Sequence, residues 1–146
     1  HQPIVRQNKT LLEFQPEPAN SWWNNPYTYI LFLALIVGLN KKSMDKIYLT
    51  IMAILGVAFV LLGIYSTHLE LGNNYNILLF NPTLLVLLYF AKANNTKWIK
   101  HTLVFNLIAL GSYTLLLLNK AHLWIVAPLI ITSGILLVRR FWRKKE

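Results

Sequence analysis

Apolar blocks alternate with short polar joints along this chain, and the blocks are longer than a soluble core requires. They run roughly 26–40, 47–66, 77–91, 101–118 and 122–138. Stretches of this length with so few charges read as helices whose solvent is lipid. Asn25-Pro26 and Asn81-Pro82 mark helix starts. An asparagine side chain accepts from freed amides, and proline presets the first helical residue. The first and third blocks are short, because about 15 residues rise only about 22 Å against a hydrocarbon core of about 30 Å. Trp22 and Trp23 suit a membrane interface. The pattern predicts an all-α, polytopic membrane protein: a five-transmembrane-helix bundle behind a polar N-terminal arm.

Composition supports lipid over water. The chain is 55% hydrophobic and only 13% charged, about half the usual charged share of a soluble domain. A net charge of +9 raises the question of nucleic acid, but the cations sit between and after the apolar blocks, where orienting charges belong. No nucleic-acid partner is expected. The absence of cysteine excludes disulfides, thiolate nucleophiles and cysteine metal sites within these residues.

Charge also orients the bundle. Five spans with the N-terminus outside place eleven Lys and Arg inside and three outside, in line with the positive-inside rule. A re-entrant third segment with the N-terminus inside gives ten and four. Five spans are preferred, because irregular backbone cannot face lipid. The domains are then an arm or linker at 1–21, a five-helix membrane domain at 22–140 and a basic tail at 141–146. The start at His1 reads as the C-terminal part of a longer product.

Candidate chemistry gathers in the joint between the second and third blocks. It holds His68, Glu70, Asn73, Asn74 and Asn76, with Asn81 just beyond, and the orientation puts His122 on the same outer face. A histidine can act as a general base or donate to a phosphate or ester oxygen, and asparagines can position a carbonyl or a lipid headgroup. The competing reading is a wet turn with helix caps. No nucleophile–base pair is legible, and His68, Glu70 and His122 match no metal-ligand spacing. No metal and no cofactor are expected. With Asp, Glu, Lys and Arg expected only outside the blocks, an ion-coupled transporter is disfavoured. Asn106 reads as interhelical glue, worth about 0.6–2 kcal/mol. Gly56, Gly63 and Gly111 read as close-packing points, and Pro128 as a kink with Ser and Thr available to its freed carbonyl. Arg139 to Lys145 reads as an anionic-lipid anchor.

The order of a Pro3-Ile4-Val5 lead, the Trp22-Trp23 pair and five apolar segments resembles the C-terminal five-helix membrane domain of the Lnb-type proteins. So does Gly63-Ile64-Tyr65-Ser66-Thr67-His68 followed by Asn73-Asn74-Tyr75-Asn76-Ile77-Leu78-Leu79-Phe80-Asn81-Pro82. The resemblance spans about 3–140 and is most specific from His68 to Pro82. It implies an N-terminal soluble domain facing the periplasm, a location in the bacterial inner membrane, and a part in lipoprotein N-acylation. In that reaction a phospholipid acyl chain passes to the amino group of a lipidated cysteine. His68, Asn74, Asn76, Asn81 and Pro82 fall on the family's His…Asn-x-Asn…Pro pattern without catalytic roles assigned.

Two functions follow. One is the membrane part of an acyltransferase, with phospholipid and lipoprotein as partners beside the N-terminal periplasmic domain. The other is a non-catalytic anchor or accessory subunit of a larger envelope complex.

Overall fold

The computed structural model describes residues 25–65 and 74–142. Within them α1 (Pro26–Leu39) and α2 (Lys42–Tyr65) are followed by a 3-10 turn (Tyr75–Leu78). Then come α3 (Thr83–Lys92), α4 (Thr96–Leu117) and α5 (Leu123–Leu137), which runs on into a π turn (Val138–Trp142). Lys42–Tyr65, Tyr75–Lys92, Thr96–Leu117 and Leu123–Trp142 are long and apolar enough to cross a bilayer, while α1 is shorter. The protein is a polytopic helical membrane bundle.

The Asn-Pro starts form as expected. Asn25 Oδ1 accepts from Tyr27 N at 2.9 Å with Pro26 in the first turn. Asn81 Oδ1 accepts from Thr83 N at 3.0 Å. The second capped start, however, lies inside the third segment rather than at its edge. That segment bends between Leu78 and Thr83, so α3 has 10 residues and rises only about 15 Å. The second segment differs too. It begins at Lys42, because Lys42 to Lys46 continue the helix beyond the apolar block.

In space α1 packs on α5, α5 on α4, α4 on α3 and α3 on α2, while consecutive α1 and α2 touch only slightly. Burial within this ring is uneven. α4 is buried along its length, from Ile99 to Leu117. Full burial on α1 is limited to Leu33 and Ile36, on α2 to Asp45 through Gly56, and on α5 to Thr132 through Leu137. No residue of 26–32, 57–65 or 123–131 is fully buried. The bundle therefore has a closed end, where α1 passes into α2 and α5 finishes, and an open end at the other extremity of those helices. Exposed leucines and phenylalanines on the outer faces cost nothing in lipid, whose tails are as apolar as they are.

An ionic clasp fastens the closed end. Asp45 is 0% exposed. One carboxylate oxygen accepts from Arg139 Nη2 at 2.7 Å and the other from Arg140 Nε. Arg139 Nη1 also donates to the Val37 carbonyl, and Arg140 Nη2 to the Asn40 carbonyl at 2.9 Å. Asn40 ends α1 in the left-handed conformation, φ 48°, which asparagine tolerates better than most residues. Two guanidinium groups thus satisfy the last carbonyls of α1 and pin that turn to α2 and α5. The sequence pattern assigns both arginines to a lipid anchor and leaves Asp45 in a polar joint. Its phase was legible, since 45, 48, 49, 52, 53 and 56 form one helical stripe.

Candidate functional site

The break in the third segment is accommodated by a glycine on its neighbour. A Cβ on Gly56 would collide with the Phe80 carbonyl oxygen and stand 2.9 Å from Pro82 N, so only glycine lets α2 lie against the bent backbone. A Cβ on Gly111 would meet nothing within 4 Å, so the close-packing expectation fails there. Non-helical backbone at this depth is tolerable because it is enclosed by protein. Phe59 and Phe80 close one side, ring centroids 5.4 Å apart.

Polar side chains then satisfy the bend. Thr83 Oγ1 donates to Asn81 Oδ1 at 2.8 Å and reaches Asn106 Oδ1 at 3.2 Å, while Asn106 Nδ2 donates to the Thr102 carbonyl at 2.8 Å. Asn106 is the interhelical link expected of it, joining α4 to the first turn of α3. Asn81, Asn106 and Ser133 line a small, mostly leucine-walled cavity between α2, α3, α4 and α5, with room for about one water. Ser133 does not serve the carbonyl freed by Pro128. Its hydroxyl instead meets Tyr48 Oη at 3.1 Å, and Tyr48 Oη donates to the Leu129 carbonyl at 3.4 Å. This pair links α2 to α5.

Nearer the open end, the 3-10 turn is held from both sides. Asn74 Oδ1 accepts from Asn76 N at 3.1 Å, capping the turn. Asn76 Oδ1 accepts from Tyr113 Oη at 2.6 Å, tying the turn to α4. Tyr75 points outward, and Lys120 Nζ stands 5.6 Å over its ring, within cation–π range. His122 occupies the cap position of α5, exposed and without a capping hydrogen bond.

The sequence-predicted site residues therefore divide. Asn74, Asn76 and Asn81 all use their side-chain oxygens to cap or tether the third segment. His122 stands on the open rim with its ring exposed. His68, Glu70 and Asn73 lie outside the described residues. Among the described residues no three His, Asp or Glu side chains cluster as metal ligands do. Sequence reasoning missed the partners of these groups rather than the groups themselves. Thr83 as a bridge, and Tyr48 and Tyr113 as donors, depend on facing helices that no single periodicity reveals.

Comparison with curated proteins and with solved structures found no match. Comparison with family models matched residues 14–145 to the Lnb transmembrane domain. That match covers all five helices, the bend and the clasp, and by it the chain belongs to the Lnb transmembrane domain family.

Proposed function

We propose that this domain is the membrane part of an Lnb-like acyltransferase that N-acylates lipoproteins with phospholipid acyl chains, and that it holds lipid at the outer face of the bacterial inner membrane. The observation that carries the reading is the coincidence of two features at one end. Three helices, α1, α2 and α5, lose full burial towards the end where Asn74, Asn76, Lys120 and His122 supply polar groups, while α4 stays buried through Leu117. Acyl transfer between two membrane-held molecules gains most from holding both at one interface, because the entropic part of the barrier falls. A bundle sealed at one end and open at the other suits that task.

Charge supports the orientation. Lys41, Lys42, Lys46, Lys92, Lys97, Lys100, Arg139 and Arg140 belong to the closed end, and Lys120 alone among the described cations to the open end. By the positive-inside rule the closed end is cytoplasmic and the open end periplasmic. The N-terminus then enters from the periplasm and the chain ends in the cytoplasm. On this reading the covalent chemistry belongs to a soluble periplasmic domain, and the polar rim offers it the lipid.

A second reading has its own observation. Every asparagine of the joint among the described residues is occupied in capping or tethering, as a non-catalytic anchor or accessory subunit would need. Mass spectrometry of a native lipoprotein's N-terminus separates the two. Cells lacking the gene are complemented with full-length wild type, His68→Ala or His122→Ala. A free amine repaired by wild type and not by the histidine variants, at equal protein level, supports the acyltransferase reading. Full acylation without the gene leaves the anchor reading.

A further inference from the structure

We propose that one water molecule is built into the cavity between α2, α3, α4 and α5. There it hydrogen-bonds Asn81, Asn106 and Ser133 and joins the bent third segment to α5. The space sets the size of the occupant. Its volume is about 10 Å³, about the least that holds a single water. No acyl chain or larger solute fits. Leucines 49, 78, 79, 84, 110 and 137 make up the rest of the wall, so the chemistry of the site comes from its three polar side chains.

Each of those side chains has hydrogen-bonding capacity to spare. Asn81 is 7% exposed, and its orientation is fixed because Oδ1 accepts from both Thr83 N and Thr83 Oγ1. Its Nδ2 carries two hydrogens and bonds none of the described residues. Asn106, 3% exposed, has the opposite need. Its Nδ2 is committed to the Thr102 carbonyl, which turns Oδ1 toward Thr83 Oγ1 at 3.2 Å. The Thr83 hydroxyl has a single proton and lies nearer Asn81 Oδ1, at 2.8 Å. Asn106 Oδ1 is therefore short of a donor. Ser133, 4% exposed, is the third. With the Tyr48 proton directed to the Leu129 carbonyl, Ser133 Oγ donates to Tyr48 Oη and keeps its lone pairs.

A water meets all three needs at once. It accepts from Asn81 Nδ2 and donates to Asn106 Oδ1 and Ser133 Oγ, and three hydrogen bonds are usual for a buried water. A cation fails the same accounting, since Nδ2 offers it a proton and no carboxylate lines the cavity. The water also changes what the polar groups do together. Thr102, Asn106, Thr83 and Asn81 form one set around the bend, while Tyr48, Ser133 and the Leu129 carbonyl form another between α2 and α5. Bridged by the water, the two sets become one network touching four helices. In a membrane interior, where a buried polar group left unpaired is costly, that bridge holds the bend in place.

The test is radiolytic footprinting of the full-length protein in phospholipid nanodiscs, in which an X-ray pulse turns water into hydroxyl radicals that label the side chains beside it. Leu49, Leu79 and Leu84 line the cavity, whereas Leu87 and Leu103 are as deeply buried and do not. The first three should take up label at least fivefold faster than the other two. Ser133→Val fills the space and should abolish that excess. Ser133→Ala removes one acceptor without adding bulk. It should lower the excess at least threefold, and it keeps the test open if the valine variant fails to fold. Tyr48→Phe breaks the same α2–α5 hydrogen bond yet leaves the cavity intact, so its labelling should match wild type. Equal labelling of cavity and control leucines in wild type means a dry cavity and overturns the proposal. So does an excess that survives Ser133→Ala at full size. The readout involves neither lipid binding nor acylation, so it stands or falls apart from the acyltransferase reading.

Discussion

The two ends of the bundle solve opposite problems with the same helices. At the closed end a carboxylate, two guanidiniums and two helix-terminal carbonyls form one connected group, with Ile36, Tyr48, Leu49, Leu136 and Leu137 packed beside it. At the open end α1, α2 and α5 show no fully buried residue, and the 3-10 turn is held by two side-chain hydrogen bonds and by the packing of Leu78, Leu79 and Phe80. Stability has been concentrated where no access is needed. The contrast teaches that in lipid, where apolar surface alone does not drive helices together, polar contacts decide which end stays shut.

The sharpest way to break the contrast is to remove the shared anion. Asp45→Ala leaves two guanidiniums facing each other and the ends of α1, α2 and α5 unjoined. Deleting one partner of a buried ion pair costs about 3–5 kcal/mol, and the effect should be the largest of any single change in the chain. Thermal unfolding in a defined detergent, read by intrinsic tryptophan fluorescence, should show it as a large fall in melting temperature. Asp45→Asn keeps the shape and loses the charge, so it should fall between. An Asp45→Ala protein that melts with wild type would mean the closed end is held by packing alone.

A smaller break lies at mid-depth, where the sequence offered Gly56, Gly63 and Gly111 alike as packing points and the structure separates Gly56 from Gly111. Gly56→Ala must push α2 off the Phe80 carbonyl, at an overpacking cost of about 1–3 kcal/mol. Gly111→Ala meets nothing and gains helix propensity, worth up to about 1 kcal/mol. The two substitutions should therefore move the melting temperature in opposite directions. Equal destabilisation would show that glycine matters here through helix flexibility and not through contact.

These cases also show what could be read from residues alone. Hydropathy and the two Asn-Pro pairs gave the class, the helix order and both capped starts, because block length and cap chemistry are local. The boundary of α2 was misplaced since Lys42 to Lys46 are helical for tertiary reasons: a charged turn is stable there only when arginines 94 and 95 residues away complete it. The broken third segment was misjudged for a related cause: Asn81-Pro82 marked a start inside the block, but the room for the bent backbone comes from Gly56 on another helix. Of the candidate site, Asn74, Asn76, Asn81 and His122 were found by type, yet the tethering done by the asparagines depends on partners in α4 and within the bend. Caps can be read along one helix, whereas a tether needs the facing one.

The finest test sets one tyrosine hydroxyl against another. Tyr113 donates to Asn76 near the open end, and Tyr48 bonds Ser133 toward the closed end. Each joins two elements, and an interhelical hydrogen bond in a membrane protein is worth about 0.6 kcal/mol on average, up to about 1.7. Tyr113→Phe and Tyr48→Phe should thus cost similar, small amounts of overall stability. Their local consequences should differ. The Asn74 cap and the packing of Leu78, Leu79 and Phe80 remain as the other holds on the 3-10 turn, so Tyr113→Phe should speed amide hydrogen exchange at Ile77 to Phe80 by about fivefold, the factor that about 1 kcal/mol of local opening corresponds to. Tyr48→Phe, with the ionic clasp one turn away, should leave exchange in α2 and α5 nearly unchanged. A double-mutant cycle of Tyr113→Phe with Asn76→Ala should return a coupling of about 1 kcal/mol. Equal exchange changes at the two sites would erase the distinction between a fastened end and a loosely tethered one, and with it the physical reason for placing lipid at the latter.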